Sequence, residues 1–198
     1  MPYDIALDPY IDPSIGILRN KLGAKTQARL DRAEAEITYI IILTLTKGSS
    51  PSSLTFDVDL LKDIHKEIFG DIYAWAGEFR TQDISKGTSF FAHSEHIDSF
   101  TTGTLSGVAF DPLLASSDIA VFVERITHYY AELNAAHPFR EGNGRTIRTF
   151  LRLLALSHGY DIEWSGLDQL QNIRASQDSL ASNNDTMLEM MTKLVVKL

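Results

Sequence analysis

Residues 134–148 read NAAHPFREGNGRTIR and carry most of what this sequence says about its fold. Helical periodicity is strong on both sides of the segment, so we predict a loop that opens directly into a helix. His137 stands before a proline, which disfavours helical geometry at the histidine and places it in the loop. Gly142 and Gly144 let the backbone approach a ligand closely, and Asn143 suits a left-handed or helix-capping position.

The chemistry of this segment favours a bound anion. Unpaired N–H groups and the positive end of the helix dipole meet where the loop becomes a helix. Two of its arginines lie three residues apart on that helix, so both can reach the same anion as bidentate donors. The segment and the turn after it hold four arginines in an otherwise acidic protein, which suggests a phosphate site. They are Arg140, Arg145, Arg148 and Arg152.

Two further side chains of the loop suit group transfer. The imidazole of His137 can take a proton. Glu141, beside the expected phosphates, is the kind of carboxylate that holds Mg²⁺ while the substrate supplies the other ligands. Nothing in the chain matches Gly-x-x-x-x-Gly-Lys-Ser/Thr, so this is not a P-loop. The alternative, an inert turn with solvated arginines, does not require this combination of residues.

Composition narrows the class of protein. The chain has 198 residues, no cysteine and a formal net charge of -8. Disulfides, thiolate zinc sites and a cysteine nucleophile are therefore excluded, and direct binding of nucleic acid is not expected. The acidic N-terminus shows no targeting signal, and the most apolar run, residues 37–45, is too short to span a bilayer. We expect a cytoplasmic protein with no membrane partner.

The rest of the chain is predicted to be mostly helical. Only residues 79–91 depart from the helical periodicity of apolar residues. They are predicted to form a small hairpin, which is the one convincing strand signal in the sequence. No repeat or composition shift divides the chain, so one domain is expected over residues 1–198. Helices are predicted over 26–47, 57–69, 94–105, 117–134, 144–157, 166–180 and 185–197, with a short helical turn at 71–76.

Residues 137–148 resemble the Fic motif, His-x-Phe-x-Asp/Glu-Gly-Asn-Gly-Arg-x-x-Arg, with every specified position present. Residues 71–77, DIYAWAG, followed by a hairpin, resemble the family's segment that leads into its flap. The resemblance extends roughly from Leu18 to the end of the chain. It implies a mostly α, single-domain helical bundle with a β-hairpin flap, about 84–93, beside a catalytic loop at 137–145.

The resemblance implies an enzyme that moves AMP from ATP to a Tyr, Ser or Thr hydroxyl of a target protein. His137 would be the base that deprotonates the hydroxyl, and Glu141 would hold Mg²⁺ on the phosphates of ATP. Phe139 would be a structural plug that holds the loop to the core. The anion hole and the two phosphate-binding arginines would be Gly142, Asn143, Gly144, Arg145 and Arg148.

The resemblance also gives the hairpin a role. In the family a flap beside the site holds the target's modified segment in extended form, by main-chain pairing along an edge strand. Phe90 and Phe91 could instead belong to the core. Two histidines nearby, His93 and His96, do not match a zinc-protease pattern and are expected at the surface. Candidate target-binding residues of the flap are Lys86, Thr88, Phe90 and Phe91.

Control by a second protein is the expectation for this chain. Fic enzymes are commonly inhibited by a helix bearing Ser/Thr-x-x-x-Glu-Gly/Asn, whose glutamate pairs with the second motif arginine. The chain lacks this pattern: Glu34 and Glu36 are followed by Ala35 and Ile37. We therefore expect a toxin whose small antitoxin supplies the glutamate to Arg148 while lying against the long N-terminal helix.

Two alternatives remain open at this stage. A related branch of the fold transfers phosphate itself, and it has bulkier residues at the positions of Gly142 and Gly144. A non-catalytic interaction module that keeps the fold is the other alternative, although the intact His137, Glu141 and Arg148 argue against it. If the chain is part of a longer effector, it would be delivered into another cell.

Overall fold

Seven α-helices account for most of the described chain, which comprises residues 8–48, 53–86 and 89–198 of a computed structural model. The predicted helices are present, with ends shifted by a few residues. They are α1 (Gln27–Gly48), α2 (Val58–Phe69), α3 (Ile97–Ser106), α4 (Ile119–Ala136), α5 (Asn143–Ser157), α6 (Gln169–Leu180) and α7 (Asp185–Leu194).

Helix α5 lies at the centre of the fold, in contact with α1, α2 and α4. The stripe predicted to face inward, Ile147, Phe150, Leu151 and Leu154, is buried. Burying each of these side chains stabilises the fold by roughly 1.5–3 kcal/mol relative to exposure. The first turn of α5 is thereby fixed to the core, and the loop before it is held at one end.

Two predicted helix starts are wrong, and one predicted helical turn is absent. The segment 94–105 begins with a 3₁₀ turn, Ser94–His96, and becomes α-helical only at Ile97. The segment 166–180 becomes helical at Gln169, because the Asp168 side chain accepts a hydrogen bond from the Gln171 N–H and caps the helix there. Residues 71–76 form turns rather than helix.

The strand prediction is incomplete, because the described residues contain three antiparallel pairs instead of one. The helix predicted to reach 197 ends at Leu194, and the next three residues pair with a strand that follows α5. Val195 and Val196 are β-branched and favour this outcome, but the partner strand is distant in sequence. The pairs are β1 (Ile11–Asp12) with β2 (Ile17–Leu18), β3 (Ser85–Lys86) with β4 (Ser89–Phe90), and β5 (Tyr160–Ile162) with β6 (Val195–Lys197).

No helix in the part of the chain that the structure describes is long and apolar enough to cross a membrane. The mostly α architecture with a small hairpin agrees with the sequence-based expectation. That hairpin, β3–β4, is described without Gly87 and Thr88.

A buried histidine of α2 fastens the central loop to the rest of the fold. His65 lies face to face with the Phe139 ring, 3.8 Å between centroids. Its Nδ1 accepts a hydrogen bond from the Gly77 N–H at 2.8 Å, so the ring proton is on Nε2, which donates to the Glu141 carbonyl at 3.1 Å. Burial lowers the pKa of His65 to about 4. The imidazole is therefore neutral and holds the loop as a two-sided clip.

This clip predicts that stability falls with acidification. Between about pH 6.5 and pH 4 the unfolded chain binds a proton at this histidine and the folded chain does not, so the free energy of unfolding decreases as pH is lowered. His65→Gln keeps a donor and an acceptor but does not titrate, so its unfolding free energy should depend less on pH in urea titrations. The exposed His96→Gln serves as the control. Equal pH dependence in both variants would contradict the role of the clip.

Candidate active site

The candidate catalytic histidine occupies a special backbone position. His137 ends α4 in the left-handed region, with φ 44° and ψ 58°, and its N–H donates to the Leu133 carbonyl at 3.0 Å. The prediction that it leaves helical geometry is confirmed. A left-handed residue other than glycine is uncommon and strained, and such residues cluster at functional sites. The turn directs the chain away from α4 and into the loop.

The imidazole of His137 is neutral at neutral pH. It is stacked on the Phe91 ring of the flap, 3.8 Å between centroids and 17° between planes. Burial is the main cause that lowers its pKa to about 4. The positive charges of Arg80 and Lys86 also lower this pKa, whereas the backbone of Asn134 raises it. A neutral imidazole can accept a proton from a hydroxyl, as a general base must.

Asn143 braces the loop rather than facing a ligand. Its side-chain oxygen accepts from the Phe139 N–H at 2.8 Å, and its side-chain NH₂ donates to the Phe139 carbonyl at 2.6 Å. The side chain is buried, and Phe139, the expected plug, is buried with it. Gly142, with φ 81°, is both the left-handed residue and the N-cap of α5, so both alternatives expected for Asn143, left-handed geometry and a capping position, are wrong.

The two glycines of the loop make room for protein groups. A Cβ on Gly142 would lie 2.3 Å from the Phe69 ring, and one on Gly144 would lie 3.0 Å from Nη1 of Arg148. At both positions the space beside the backbone is therefore already used by this chain. At Gly142 the rigid Phe69 ring and the left-handed backbone both require glycine, whereas at Gly144 the neighbour is the mobile end of the Arg148 side chain.

The first turn of α5 carries donors suited to an anion. In the described chain, the N–H groups of Asn143, Gly144 and Arg145 have no hydrogen-bond acceptor, as expected for a helix start. The N–H of Gly142 donates to Oε1 of Glu141 at 2.8 Å. The Gly142 N–H, which was expected in the anion hole, is thus already bonded within the loop. The N–H groups of residues 143–145 are available to an anion.

The four arginines do not form one phosphate-binding cluster. Arg148 has no carboxylate within 4.0 Å in the part of the chain described, whereas the other three are paired. Among these four arginines, the one left without a carboxylate is the second arginine of the motif. The pairs join Arg140 to Asp8 at 2.8 Å, Arg145 to Glu34 at 2.5 Å and Arg152 to Asp161 at 2.7 Å.

Arg145 is tied to the long helix α1. Glu34 of that helix accepts from Arg145 and from the Tyr73 hydroxyl, and Thr38 lies 3.3 Å from the guanidinium. The guanidinium also lies 4.7 Å from the centroid of the Phe69 ring. Sequence reasoning missed this cluster. The signal was Glu34 and Thr38, polar residues four apart on the buried stripe of α1 that includes Leu30.

Glu141 fits a cation that arrives with phosphates. Its carboxylate is partly exposed, accepts the Gly142 N–H through one oxygen and lies 3.7 Å from Arg145. The described residues contain no group of three or more His, Asp or Glu side chains able to hold a metal by themselves. One carboxylate beside an anion cradle matches Mg²⁺, which commonly keeps waters and takes substrate phosphates as ligands.

The flap residues divide between the site and the surface. In β3–β4, Ser85 pairs with Phe90 and Lys86 with Ser89. The Phe90 side chain is 79% exposed and is not a core residue, whereas Phe91 covers His137. Lys86 is exposed. Thr88, the remaining candidate, lies outside the described residues.

The fold and the site together define a helical domain in which a loop-borne histidine, an anion-attracting helix start and a hairpin flap meet. The profile of the Fic/DOC family matches residues 55–155, and the chain belongs to this family. The sequence-based assignment to the family is confirmed.

Curated relatives share sequence over most of the chain. The protein adenylyltransferase VbhT of Bartonella schoenbuchensis is 44% identical over 185 residues, 93% of this chain and 38% of that protein. A protein of Escherichia coli named "Probable protein adenylyltransferase Fic" is 34% identical over 96% of this chain and 92% of its own length. This chain therefore spans about two fifths of VbhT and nearly all of the E. coli protein.

Solved structures share the fold at lower identity. BepC of Bartonella tribocorum, determined with bound AMPPNP, superimposes with a TM-score of 0.86 at 20% identity, over 96% of this chain and 97% of that one. The Fic domain of Bep8 from Bartonella sp. 1-1C gives a TM-score of 0.84 at 23% identity, over 93% and 91%.

The Glu34–Arg145 pair predicts a loss of stability when it is broken. Glu34→Gln keeps the size of the side chain but removes the charge, which leaves the partly buried Arg145 guanidinium with only the more distant Glu141 carboxylate, 3.7 Å away. We expect the free energy of unfolding to fall by about 1.5–3 kcal/mol, the usual range for a hydrogen bond to a charged group. Urea titration measures it, with the exposed Glu36→Gln on the same helix as control. Similar stabilities for the two variants would contradict a structural role for the pair.

Proposed function

We propose that this chain is a protein adenylyltransferase, which moves AMP from ATP to a hydroxyl side chain of a target protein. The observation that carries the proposal is the combination at the start of α5 of a neutral imidazole, a carboxylate and unpaired N–H donors. Phosphoryl-group transfer needs in-line positioning and charge neutralisation more than covalent help, and these are the groups that provide both. The curated relatives named as adenylyltransferases support the same reaction.

Each group has a defined task in the proposed reaction. His137 takes the proton of the target hydroxyl while the hydroxyl oxygen forms a bond to the α-phosphorus of ATP. The bond between that phosphorus and the bridging oxygen breaks, and pyrophosphate leaves. The N–H groups of residues 143–145 and the Arg148 guanidinium bind phosphate oxygens. Glu141 would hold Mg²⁺, which neutralises phosphate charge when bound.

His137→Ala tests the assignment of the base. We expect the rate of AMP transfer to fall by about 10²–10⁴-fold, because the phosphate-binding groups remain but no group takes the proton. Labelled ATP added to a cell lysate reports transfer, and calorimetry with ATP and Mg²⁺ reports binding. His96→Ala, an exposed histidine outside the loop, is the control. A loss of ATP affinity as large as the loss of rate would contradict this role.

The mass of the modified protein decides between the two transfer reactions. A gain of one AMP unit supports the proposal, whereas a gain of one phosphate would indicate the phosphotransferase branch. No binding of ATP or Mg²⁺ would indicate a non-catalytic interaction module. Gly142 and Gly144 support AMP transfer, since the phosphotransferase branch has bulkier residues at these two positions.

The same site supports control by a second protein, a small antitoxin. Glu34 pairs with the first motif arginine, and no carboxylate in the described residues pairs with Arg148. A glutamate able to displace a phosphate from Arg148 is therefore proposed to come from another chain. Helix α1 exposes Tyr39 and Ile40, which are 66% and 64% accessible, and this apolar surface suits a short helical partner.

Expression of the chain alone should arrest bacterial growth, and expression of the His137→Ala variant should not. Co-expression of a small neighbouring protein that carries Ser/Thr-x-x-x-Glu-Gly/Asn should restore growth, and a Glu→Ala exchange in that protein should abolish the rescue. Colony counts measure each case. If the chain alone is harmless, and binds ATP in vitro without transferring AMP, the inhibitory group lies within this chain.

A further inference from the structure

Arg80 is a buried arginine that the proposed reaction does not use. It is 2% exposed and lies in the segment that leads into the flap. Its backbone N–H donates to the Pro138 carbonyl at 2.9 Å, so the segment runs beside the catalytic loop. Removing a guanidinium from water is costly unless its donors are satisfied, so the role of this one can be read from its partners.

The guanidinium joins the catalytic loop to both ends of the flap. Towards the loop, Nε donates to the His137 carbonyl at 2.9 Å and Nη2 lies 3.4 Å from the Ala136 carbonyl. Towards the flap, Nη1 donates to Gln82 before β3 at 2.7 Å, and Nη2 donates to Ala92 after β4 at 2.5 Å. The Asp83 carboxylate lies 3.9 Å away. Carbonyl groups from three separate stretches thus converge on one rigid fork of donors.

We propose that Arg80 is a positioning residue for the transfer reaction, which holds the backbone of His137 and the two ends of the flap at one fixed spacing. This inference rests on the proposed function, because the spacing matters only if His137 acts on a target segment held by the flap.

The strained backbone of His137 is anchored on both sides by this arrangement. Its N–H is held by the Leu133 carbonyl, and its carbonyl is held by Nε of Arg80. The flap is also attached directly, since the Ala92 N–H donates to the Ala135 carbonyl at 3.0 Å. Phe91, the neighbour of Ala92, stacks on the imidazole. Arg80 therefore sets the position of the base and of the ring that covers it.

Charge adds to this geometry. The charged groups that act on the imidazole are Arg80, from the segment before the flap, and Lys86, from β3. Both lower the pKa of His137, in addition to the larger effect of burial. Replacing Arg80 by a neutral residue should therefore raise the pKa of His137 more than replacing it by lysine, which keeps the positive charge.

Two variants of Arg80 separate the effect of the guanidinium geometry from the effect of its positive charge. Arg80→Lys keeps the charge but has one nitrogen where arginine has three, and Arg80→Gln removes the charge as well. Displacement of a reacting group by about 1 Å can cost about 10²-fold in rate, so transfer to a lysate target should fall by about this factor in both. The affinity for ATP in calorimetry should change little. Arg152→Lys, at an ion pair with Asp161 away from the flap, is the control, and its transfer rate should match that of the wild type.

Two NMR measurements without ATP test the placement itself. Overhauser contacts between the Phe91 and His137 rings should weaken in both Arg80 variants and persist in Arg152→Lys. A titration of the His137 imidazole should give a raised pKa in both Arg80 variants, because the ring contact that helps to bury it weakens, and a larger rise in Arg80→Gln, which also loses the positive charge. These readouts do not depend on activity, so they test Arg80 even if the wild-type protein transfers no AMP. If Arg80→Gln does not fold, the ring contacts and the transfer rate of Arg80→Lys still test whether Arg80 positions His137.

One result would overturn the inference. If folded Arg80 variants keep the ring contacts, the His137 titration and the transfer rate of the wild type, and only their unfolding temperature falls, Arg80 stabilises the fold without positioning the base.

Discussion

Two hydrogen bonds between the Asn143 side chain and the backbone of Phe139 determine the geometry of everything around them. They close the loop on itself, so that α4 can end in a left-handed histidine and α5 can begin four residues after Phe139. The Phe139 ring then meets His65, which binds the loop at the Glu141 carbonyl. A short polar contact inside an apolar setting is strong and specific, because neither partner has water as an alternative. The positions of His137, the proposed base, of Glu141 and of the start of α5 all depend on this contact.

Charge around the site is balanced by residues from distant parts of the chain. Asp8, Glu34 and Asp161 each neutralise one arginine of the loop and of α5, which leaves Arg148 as the cation that a phosphate oxygen can approach without displacing a carboxylate. Buried ion pairs contribute little net stability, yet removing one partner is costly. These pairs therefore fix where positive charge is available more than they strengthen the fold. In the proposed reaction, specificity for one anion position would follow from the neutralisation of the other three arginines.

Sequence patterns predict what is local in this fold and miss what is distant. The loop from His137, the helices and the apolar stripe of α5 are readable, because capping, periodicity and a twelve-residue motif are all short-range signals. The pairing of β5 with β6 and the contact of Glu34 with Arg145 join residues far apart, for which one sequence gives no partner. Asn143 was expected in the anion hole, which its backbone N–H can join, but the bracing of the loop by its side chain was not predicted. Arg80 carried no signal at all, since its partners are main-chain carbonyls, which every residue has.

The contact between Gly142 and the Phe69 ring also constrains how this protein can change over evolutionary time. A side chain at position 142 meets two separate obstacles: a left-handed backbone and an aromatic ring that occupies the place of its Cβ. Trimming Phe69 removes only the second obstacle and leaves a cavity in the core until the new side chain fills it. A lineage that reaches a bulkier residue here must therefore pass through a destabilised intermediate or alter both positions together. The two sites are epistatic, and α2 restricts the chemistry that the loop can acquire.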